Sequence, residues 1–556
     1  MMKKLLLTFV VGLMAFVASA QEFTFTNGVI FINEDRYGPN QGSINFYNYD
    51  YDEMEYNVYA MVNPTTKLGV TTQHGQLFGG KLFLVSKQAN GNEASGSTMG
   101  SRLAVLDAVT LKQQASILRF GQSADSVYDG RSYCAVNNDK GYIATSAGIF
   151  VLDVPTMTVT GPIQGTQSSA KGDYNSLYTL QCGDMVRFAQ HVFAVQQGVG
   201  IHVIDPVTDT IVKTLDFPHV VTVFVTAGGH LFVANNSHEI YDFSTGPEVA
   251  DFTQIDPVTF NTVETFELGA GHGAMKSWGA WRARMVCVDP SRERVYYNYD
   301  EFQNYISCYD FSTREFTDHY IDLPEAAEIN WDGSRNMQGL YASALSFDPH
   351  IGDLVVQTTE AAPMYAYQVF NHNWVLFYDV NTRELKRQVR LQDAYWFPAM
   401  AVYPDVCDPE LDLADVTVTA GQEVTISLLD AVSDADNMAS LAVTVAQETD
   451  ASIARASVSG LDLCITAVAP GRTTVTVTTD SNGRLVTASF VVTVVRGSTP
   501  GDVNMDGRVD VADVAALIDI ALGSVLCDYD PVAADLDGDG KFTVIDVTAL
   551  IAMILI

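Results

Sequence analysis

Cysteine is sparse. The 556 residues hold seven, at Cys134, Cys182, Cys287, Cys308, Cys407, Cys464 and Cys527. They are scattered, without the dense spacing of a disulfide framework. Positive charge is also scarce: 31 Lys and Arg stand against 66 Asp and Glu, a formal net charge of -35. That balance excludes nucleic acid and anionic membrane surfaces as partners, since both are bound by Lys and Arg neutralising phosphates. It leaves cations as natural ones. Beyond the first twenty residues no apolar run approaches the ~20 residues of a membrane span. Catalytic signatures are missing too. The chain has no His-Glu-x-x-His, no Gly-x-Ser-x-Gly elbow and no Walker A loop. Carboxylates are abundant, but without distances none pairs off as acid and base. The histidines His74, His191, His202 and His230 are dispersed and read as structural.

What is present begins with a leader. Lys3-Lys4, the apolar run Leu5 to Val17 and Ala18-Ser19-Ala20 form a secretory signal with an Ala-x-Ala cleavage site, residues 1–20. No Cys follows to take a lipid anchor. The expected location is the periplasm, the cell surface or the extracellular space.

From 21 to 407 a short unit recurs. Its clearest copy is Gly200 to Thr208: an apolar strand, then Asp205 and a turn ending in Thr208. Further copies carry Asp107 and Thr110, Asp153 and Thr156, Asp256 and Thr259, Asp310 and Thr313, and Asp379 and Thr382; a degenerate copy lies at Phe46-Tyr47-Asn48. An apolar strand precedes each: Val29 to Ile32, Leu82 to Val85, Tyr142 to Ala144, Val192 to Val195, Leu231 to Ala234, Val295 to Tyr297 and Leu354 to Val356. Strand pairs at intervals of roughly 45 to 70 residues match propeller blades. The seven copies predict a seven-bladed β-propeller. Cys287 and Cys308 fall on neighbouring strand candidates of one blade; a disulfide and two reduced core thiols are both open.

The Gly-His and Trp-Asp signature of many propellers is absent, as is the Asp-box of sialidases. The opening Ile32-Asn33-Glu34, then Tyr37-Gly38-Pro39-Asn40-Gln41-Gly42-Ser43-Ile44-Asn45-Phe46-Tyr47, resembles a Bacteroidetes family of exported YncE-like or surface-layer-like propellers. The resemblance implies a ligand at one face of the ring; relatives include a surface protein that captures cobalamin. Three insertions are candidate site builders on such a scaffold. They carry Arg36 and Tyr37, then His272, Lys276, Trp278 and Trp281, then Tyr365, Tyr367, His372 and Trp374. Arg36, Tyr37, Trp278, Tyr365, His372 and Trp374 are the candidate ligand-binding residues. Aromatics with a few polar groups suit a flat ligand such as a sugar ring or corrinoid.

Residues 408–496 change character. Short alternating strands, such as Val416-Thr417-Val418, Leu463 to Thr466 and Ser489 to Val495, are separated by Gly421, Gly460, Pro470-Gly471 and Asn482-Gly483. They predict a β-sandwich. Ala467 to Gly471 followed by Thr-Val alternation resembles bacterial Ig-like domains, which implies a spacer.

After the linker 497–500, residues 501–556 carry the most specific chemistry. Asp502, Asn504, Asp506, Gly507 and Asp513 occupy positions 1, 3, 5, 6 and 12 of an EF-hand-type loop; Asp535, Asp537, Asp539, Gly540 and Asp546 repeat the pattern 33 residues later. Ca²⁺ takes six to eight oxygens, and short carboxylates at this spacing wrap one ion. Arg508 and Lys541 would contribute main-chain carbonyls; Asp510 and its counterpart Thr543 hold position 9. An apolar helix is predicted after each loop, over Val514, Leu517, Ile518 and Leu522 and over Val547, Leu550, Ile551 and Leu555. Two loop-helix units without a helix before each loop resemble a dockerin, which implies two Ca²⁺ ions and a cohesin-like partner. Positions 10 and 11 are Val511-Ala512 and Val544-Ile545 rather than the common Ser-Thr, so an intramolecular partner is an alternative.

The expected molecule is mainly β: a propeller, an Ig-like sandwich and a small α-helical dockerin-like calcium-binding domain. The first functional expectation is a non-catalytic propeller that binds a small molecule, glycan or protein and is tethered by the tail. The alternatives are a polysaccharide-active hydrolase or lyase, and a nutrient-capture protein of the cobalamin type.

Overall fold

A computed structural model describes residues 23–36, 40–89, 100–121, 128–168, 180–236, 249–273, 286–298, 302–329, 335–361, 370–394, 396–436, 442–524 and 528–556. The leader, Cys527 and the candidates Tyr37, Trp278 and Tyr365 lie outside them. The described residues fall into two compact units. One runs to Pro409 and includes Ser433–Ala442 and Asp480–Arg484; the other holds Glu410–Val432, Val443–Thr479 and Leu485–Ile556.

The recurrent Asp turn shapes the first unit. Asp107 accepts the N–H groups of Val109 (3.1 Å) and Thr110 (2.8 Å) and the Thr110 hydroxyl (2.8 Å). Asp205 takes the Val207 N–H and the Thr208 hydroxyl, both at 2.8 Å. Asp256 and Asp379 do the same through the N–H groups of Val258 and Thr259 and of Asn381 and Thr382. The residue after each Thr then reverses the chain in the left-handed region: Leu111 at φ 54, Asp209 at 55, Phe260 at 59, Arg383 at 64. A side-chain acceptor in place of a main-chain one is what makes Asp the turn residue here.

Each turn joins the outer strands of an antiparallel meander, so the predicted strand pairs are hydrogen-bonded neighbours. Val192↔Ile204 and Ala194↔His202 are aligned, as are Leu82↔Leu106 and Val356↔Leu376. Val70–Phe78, Lys81–Gln88, Leu103–Asp107 and Gln113–Ile117 make one four-stranded sheet in that order. Sheets beginning at Gly130–Asn137, Cys182–Phe188, Val220–Val225 and Cys287–Val288 repeat it. A five-stranded sheet follows, containing Arg335–Phe347, Leu354–Ala361, Asn373–Tyr378 and Leu385–Arg390. The remaining sheet joins the two ends of this region. Pro398–Val402 pairs with Gly28–Asn33 (Ile30↔Val402, Phe31↔Ala401), which continues to Ser43–Asn48 and Glu53–Glu55. These are the meanders of a β-propeller, and pairing the chain ends shields an edge. A cavity of about 450 Å³ is lined by the leading strands of the sheets, among them Gln76, Cys134, Asp184, Thr222, Cys287 and Met400.

Cys287 and Cys308 are buried and not joined in a disulfide. Both stand opposite Tyr296, one on each side of its strand (Cys287↔Tyr296, Tyr296↔Cys308). The two strands are therefore not neighbours. Two inter-strand spacings, roughly 9–10 Å, exceed what a disulfide bridges.

In the second unit, the strands Val416–Thr419, Arg484–Val495, Gly471–Ser481 and Ala442–Glu448 form one sheet, and Glu423–Ser427, Asp462–Ala467 and Ala454–Ser459 another. Val416–Thr419 runs parallel to Arg484–Val495. Leu463 and Ile465 from one sheet and Val475, Val477 and Phe490 from the other share one core. The segments Ser433–Ala442 and Asp480–Arg484 belong instead with the first unit. There Asp436 accepts the N–H groups of Val406 (2.6 Å) and Cys407 (2.7 Å), and Arg484 bonds Asp405 at 2.9 Å.

Candidate functional site

The two acidic loops near the C-terminus fold alike. In the first, Asp502 Oδ2 accepts the Gly507 N–H (3.0 Å), Asn504 Oδ1 the Asp506 N–H (2.9 Å) and Asp506 Oδ1 the Arg508 N–H (2.9 Å). In the second, Asp535 Oδ2 accepts the Gly540 N–H (2.9 Å), Asp537 Oδ1 the Asp539 N–H (3.1 Å) and Asp539 Oδ1 the Lys541 N–H (2.8 Å). Gly507 at φ 88 and Gly540 at φ 76 make the sharp bend in the left-handed region. The last loop residue ties each loop to its helix. Asp513 takes the Asn504 N–H (3.0 Å) on one oxygen and the Asp510 N–H (2.8 Å) on the other. Asp546 takes the Leu536 and Thr543 N–H groups at 2.9 Å. Asp510 and Thr543 cap helices Val511–Ala521 and Val544–Ile554, each in a capping box.

These residues fit a hard divalent cation. Carboxylate oxygens of Asp535, Asp537 and Asp539 converge within 4.8 Å of one another. In the first loop Asp502 Oδ1 is buried with no hydrogen-bond partner. The carboxyl of Asp537 is raised: the Asp539 N–H opposes this, but desolvation and the charges of Asp539, Asp546 and Asp535 prevail. Clustered carboxylates of this kind need a cation to neutralise them.

The helices pack over Val503, Leu517, Ala534, Val547 and Leu550. The apolar stripe predicted from sequence is only partly inside. Ile518 and Ile551 are each 41% exposed, Leu522 76% and Leu555 80%. A four-residue helix, Pro531–Ala534, precedes the second loop, where none was expected. Asp530 caps it and Pro531 occupies its first position.

On the first unit, antiparallel meanders place the Asp turns at one edge. The longer strand-to-strand and sheet-to-sheet connections lie at the other. Of the candidates there, Arg36 is exposed and His372 half-buried. His372 Nδ1 lies 2.5 Å from Glu360 Oε2, and Glu360 Oε1 accepts from Asn336 Nδ2 at 2.6 Å. Trp374 is a packing residue: 2% exposed, in the core with Leu354, Val356 and Leu376, with the Arg390 guanidinium 4.9 Å over its ring. The structure brings the insertions around Arg36 and His372 together through residues 396–397. The Glu34 N–H donates to the Phe397 carbonyl (3.0 Å), that of Asp35 to the Trp396 carbonyl (3.1 Å), and the Phe370 and Phe397 rings are 5.1 Å apart. Asp35 accepts the Ser43 hydroxyl at 2.6 Å, and burial pushes its carboxyl up to about 8. Glu34, Asp35, Glu360, Phe370 and Phe397 escaped the sequence reading. Their signal was position: Glu34 and Asp35 fall within the insertion Glu34 to Gln41, and Glu360 and Phe370 within Glu360 to Trp374, whereas Phe397 lies outside both. Among the described histidines, His202 is structural: its ring bonds Gln196 (2.7 Å) and Thr214 (3.0 Å).

Comparison with known proteins adds two family matches. The dockerin type I domain covers residues 500–555. Dockerins of this type bind calcium, typically engage cohesins and occur on extracellular or surface proteins. None of the curated proteins matches this chain. Among solved structures, the chain is similar to a quinonprotein alcohol dehydrogenase-like protein from Bacteroides thetaiotaomicron. That likeness has 12% identity, 68% of this chain, 79% of that one and a TM-score of 0.47. It is also similar to the Cps50 (Swd1) β-propeller domain of Myceliophteria thermophila (12% identity, 61% and 93%, TM-score 0.36). A third likeness is to the extracellular domain of a putative hybrid two-component system from Bacteroides thetaiotaomicron (11% identity, 85% and 56%, TM-score 0.34). The second family match spans residues 27–404, and by it the chain belongs to the family of the domain of unknown function DUF5074.

Proposed function

We propose that this is an exported, non-catalytic binding protein. A seven-bladed propeller presents a ligand or protein site, an Ig-like module serves as spacer, and the dockerin tail tethers the molecule through two Ca²⁺ ions. The first ion would be held by Asp502, Asn504, Asp506 and Asp513, with the Arg508 carbonyl and Asp510. The second would be held by Asp535, Asp537, Asp539 and Asp546, with the Lys541 carbonyl and Thr543. The observation that carries the reading is the same hydrogen-bond pattern in two acidic loops 33 residues apart, each closed onto a helix. Export is supported by the leader; a propeller site, by the long connections gathered on one edge.

Passing the full-length protein over an immobilised cohesin, with calcium and then with chelator, tests the tether. Retention that chelation abolishes supports it; calcium-independent retention, or none, overturns it. Thermal shift of the same protein against cobalamins and oligosaccharides tests the propeller. A ligand at 100 times its Kd adds about 2.7 kcal/mol.

A second reading, a polysaccharide-active enzyme, has one observation in its favour. A glycosidase needs one carboxyl held protonated beside one that is ionised. Asp35 has the raised carboxyl that a general acid needs. Reducing-sugar release abolished by Asp35→Asn would establish this reading over the first.

A further inference from the structure

The first and last sheets of the ring face each other where the chain ends pair. An apolar cluster spans that seam: Val29, Phe31 and Tyr47 on one side, Val355, Val375 and Phe377 on the other. Alternate residues of a strand share a face. One step toward the long-connection edge, the same faces carry Asn33 beyond Phe31, Asn45 before Tyr47, Gln357 beyond Val355 and Asn373 before Val375. The apolar layer gives way to amides, all of them buried.

Their hydrogen bonding is incomplete. Asn33 Nδ2 donates to Ser43 Oγ (3.2 Å), leaving Oδ1 without a partner. Asn373 Nδ2 donates to the carbonyls of Phe370 (3.1 Å) and Ala394 (3.2 Å), and again Oδ1 is left over. Asn45 Oδ1 accepts the Asn57 N–H (2.9 Å), leaving Nδ2. Neither amide atom of Gln357 has a partner, nor does Asn371 Oδ1. The bonds that are made fix which end of Asn33, Asn45 and Asn373 is oxygen. Unpaired buried amides are costly and rare, so a run of them on one seam marks a place for a guest.

The chemistry selects the guest. Acceptors and donors are both unmet. A cation would satisfy only the acceptors and an anion only the donors, whereas a hydroxyl does both. Beside the amides stand four half-buried rings: Phe370 and Phe397 at 5.1 Å, Phe302 and Phe370 at 5.5 Å, Tyr341 and Phe397 at 4.8 Å. Aromatic faces accept the C–H face of a sugar ring. The buried carboxylates Glu34 and Glu360 flank them and disfavour a negatively charged ligand.

We propose that the long-connection edge of this seam binds a neutral carbohydrate. One ring lies on Phe370 and Phe397, and its hydroxyls meet the amides of Asn33, Gln357 and Asn373. This rests on the propeller being a binding module and names what it binds.

The test is calorimetric titration of the calcium-loaded full-length protein with neutral gluco-, manno- and xylo-oligosaccharides, with oligogalacturonate as the charged control. It is repeated on Gln357→Leu and Phe370→Ala. Gln357 has no partner to lose, so Q357L is expected to fold with an unchanged or higher Tm. The expected result is binding of one neutral series, weakened at least tenfold in both variants, with oligogalacturonate inert. No neutral binding, equal binding in the variants, or preference for oligogalacturonate overturns the proposal. A crystal structure showing water on these amide atoms, unchanged after soaking with the sugars, also overturns it. Binding of a non-carbohydrate that Q357L leaves intact overturns this proposal while the binding-module reading stands.

Discussion

Asp502 accepts the Gly507 N–H at 3.0 Å through Oδ2, while its Oδ1 is buried without a partner. One oxygen shapes the loop and the other is available to a cation. Adding a chelator is therefore expected to unfold the tail while the propeller sheets persist. Circular dichroism should lose helix signal, and calorimetry should keep a separate high-temperature transition. Asp502→Ala and Asp535→Ala should each weaken calcium binding by on the order of 10–100-fold or more.

Gly507 and Gly540 bend in the left-handed region with nothing within 4 Å of where a Cβ would stand. Alanine there meets no clash, only the conformational penalty of about 1–2 kcal/mol. Each substitution should lower the thermal midpoint of the tail transition and leave the propeller transition unmoved.

The Asp turns should make the propeller acid-labile. The Thr156 hydroxyl holds Asp153 below the usual carboxylate range, the Thr259 N–H does so for Asp256, and the Thr382 N–H for Asp379. A carboxylate lowered by folding adds stability that is present above its unfolded value, near 3.9. That stability is lost as pH falls through the folded value. The turns' contribution to the urea midpoint should be constant near neutrality and be lost below about pH 4. Replacing a turn Asp by Ala should remove the drop contributed by that turn.

Asp35 works the other way. Burial raises its carboxyl to about 8, so the unfolded chain releases this proton near pH 4 and the folded chain holds it to about 8. Its contribution to stability falls as pH rises through that window. Asp35→Asn should flatten the fall and be more stable than the parent at pH 8. A denaturation series from pH 4 to 9 decides it.

Trp374 and His372 are two residues apart and should respond differently. Trp374→Ala opens a cavity in a closed core and should cost about 3–5 kcal/mol. His372→Ala removes its pairings with Glu360 and Asp393, leaves one buried Glu360 oxygen without the ring, and should cost about 1–3 kcal/mol. Thermal denaturation of the two variants separates packing from surface function in this insertion.

Much of the architecture could be read from periodicity. The Asp of each turn recurs because its carboxylate replaces a main-chain acceptor, so the same residue marks the same place in each meander. The two acidic loops were legible for a similar reason: the spacing of their Asp and Gly residues leaves a pattern that neighbours do not blur. The seam was not legible. Asn33 and Asn45 sit on one pair of neighbouring strands and Gln357 and Asn373 on another, and these two pairs, far apart in the chain, share a seam only because Pro398–Val402 pairs with Gly28–Asn33. Trp374 misled because an aromatic beside an insertion looks the same in sequence whether it points into a core or out of it. Ile518 and Ile551 misled because an apolar helix face shows its period, not which neighbour covers it.

The pairing of Ile30 with Val402 also sets an order of assembly. The strand at the start of the propeller has to wait, unpaired on that side, until the last strand emerges from the ribosome. Closing so long a loop is entropically costly and slow. The tail depends on contacts between near neighbours and a metal ion, so it can form independently of that closure. A chain cut short before residue 398 would thus carry an open-edged, aggregation-prone first unit, whereas one cut short after residue 404 would keep the pairing of Ile30 with Val402.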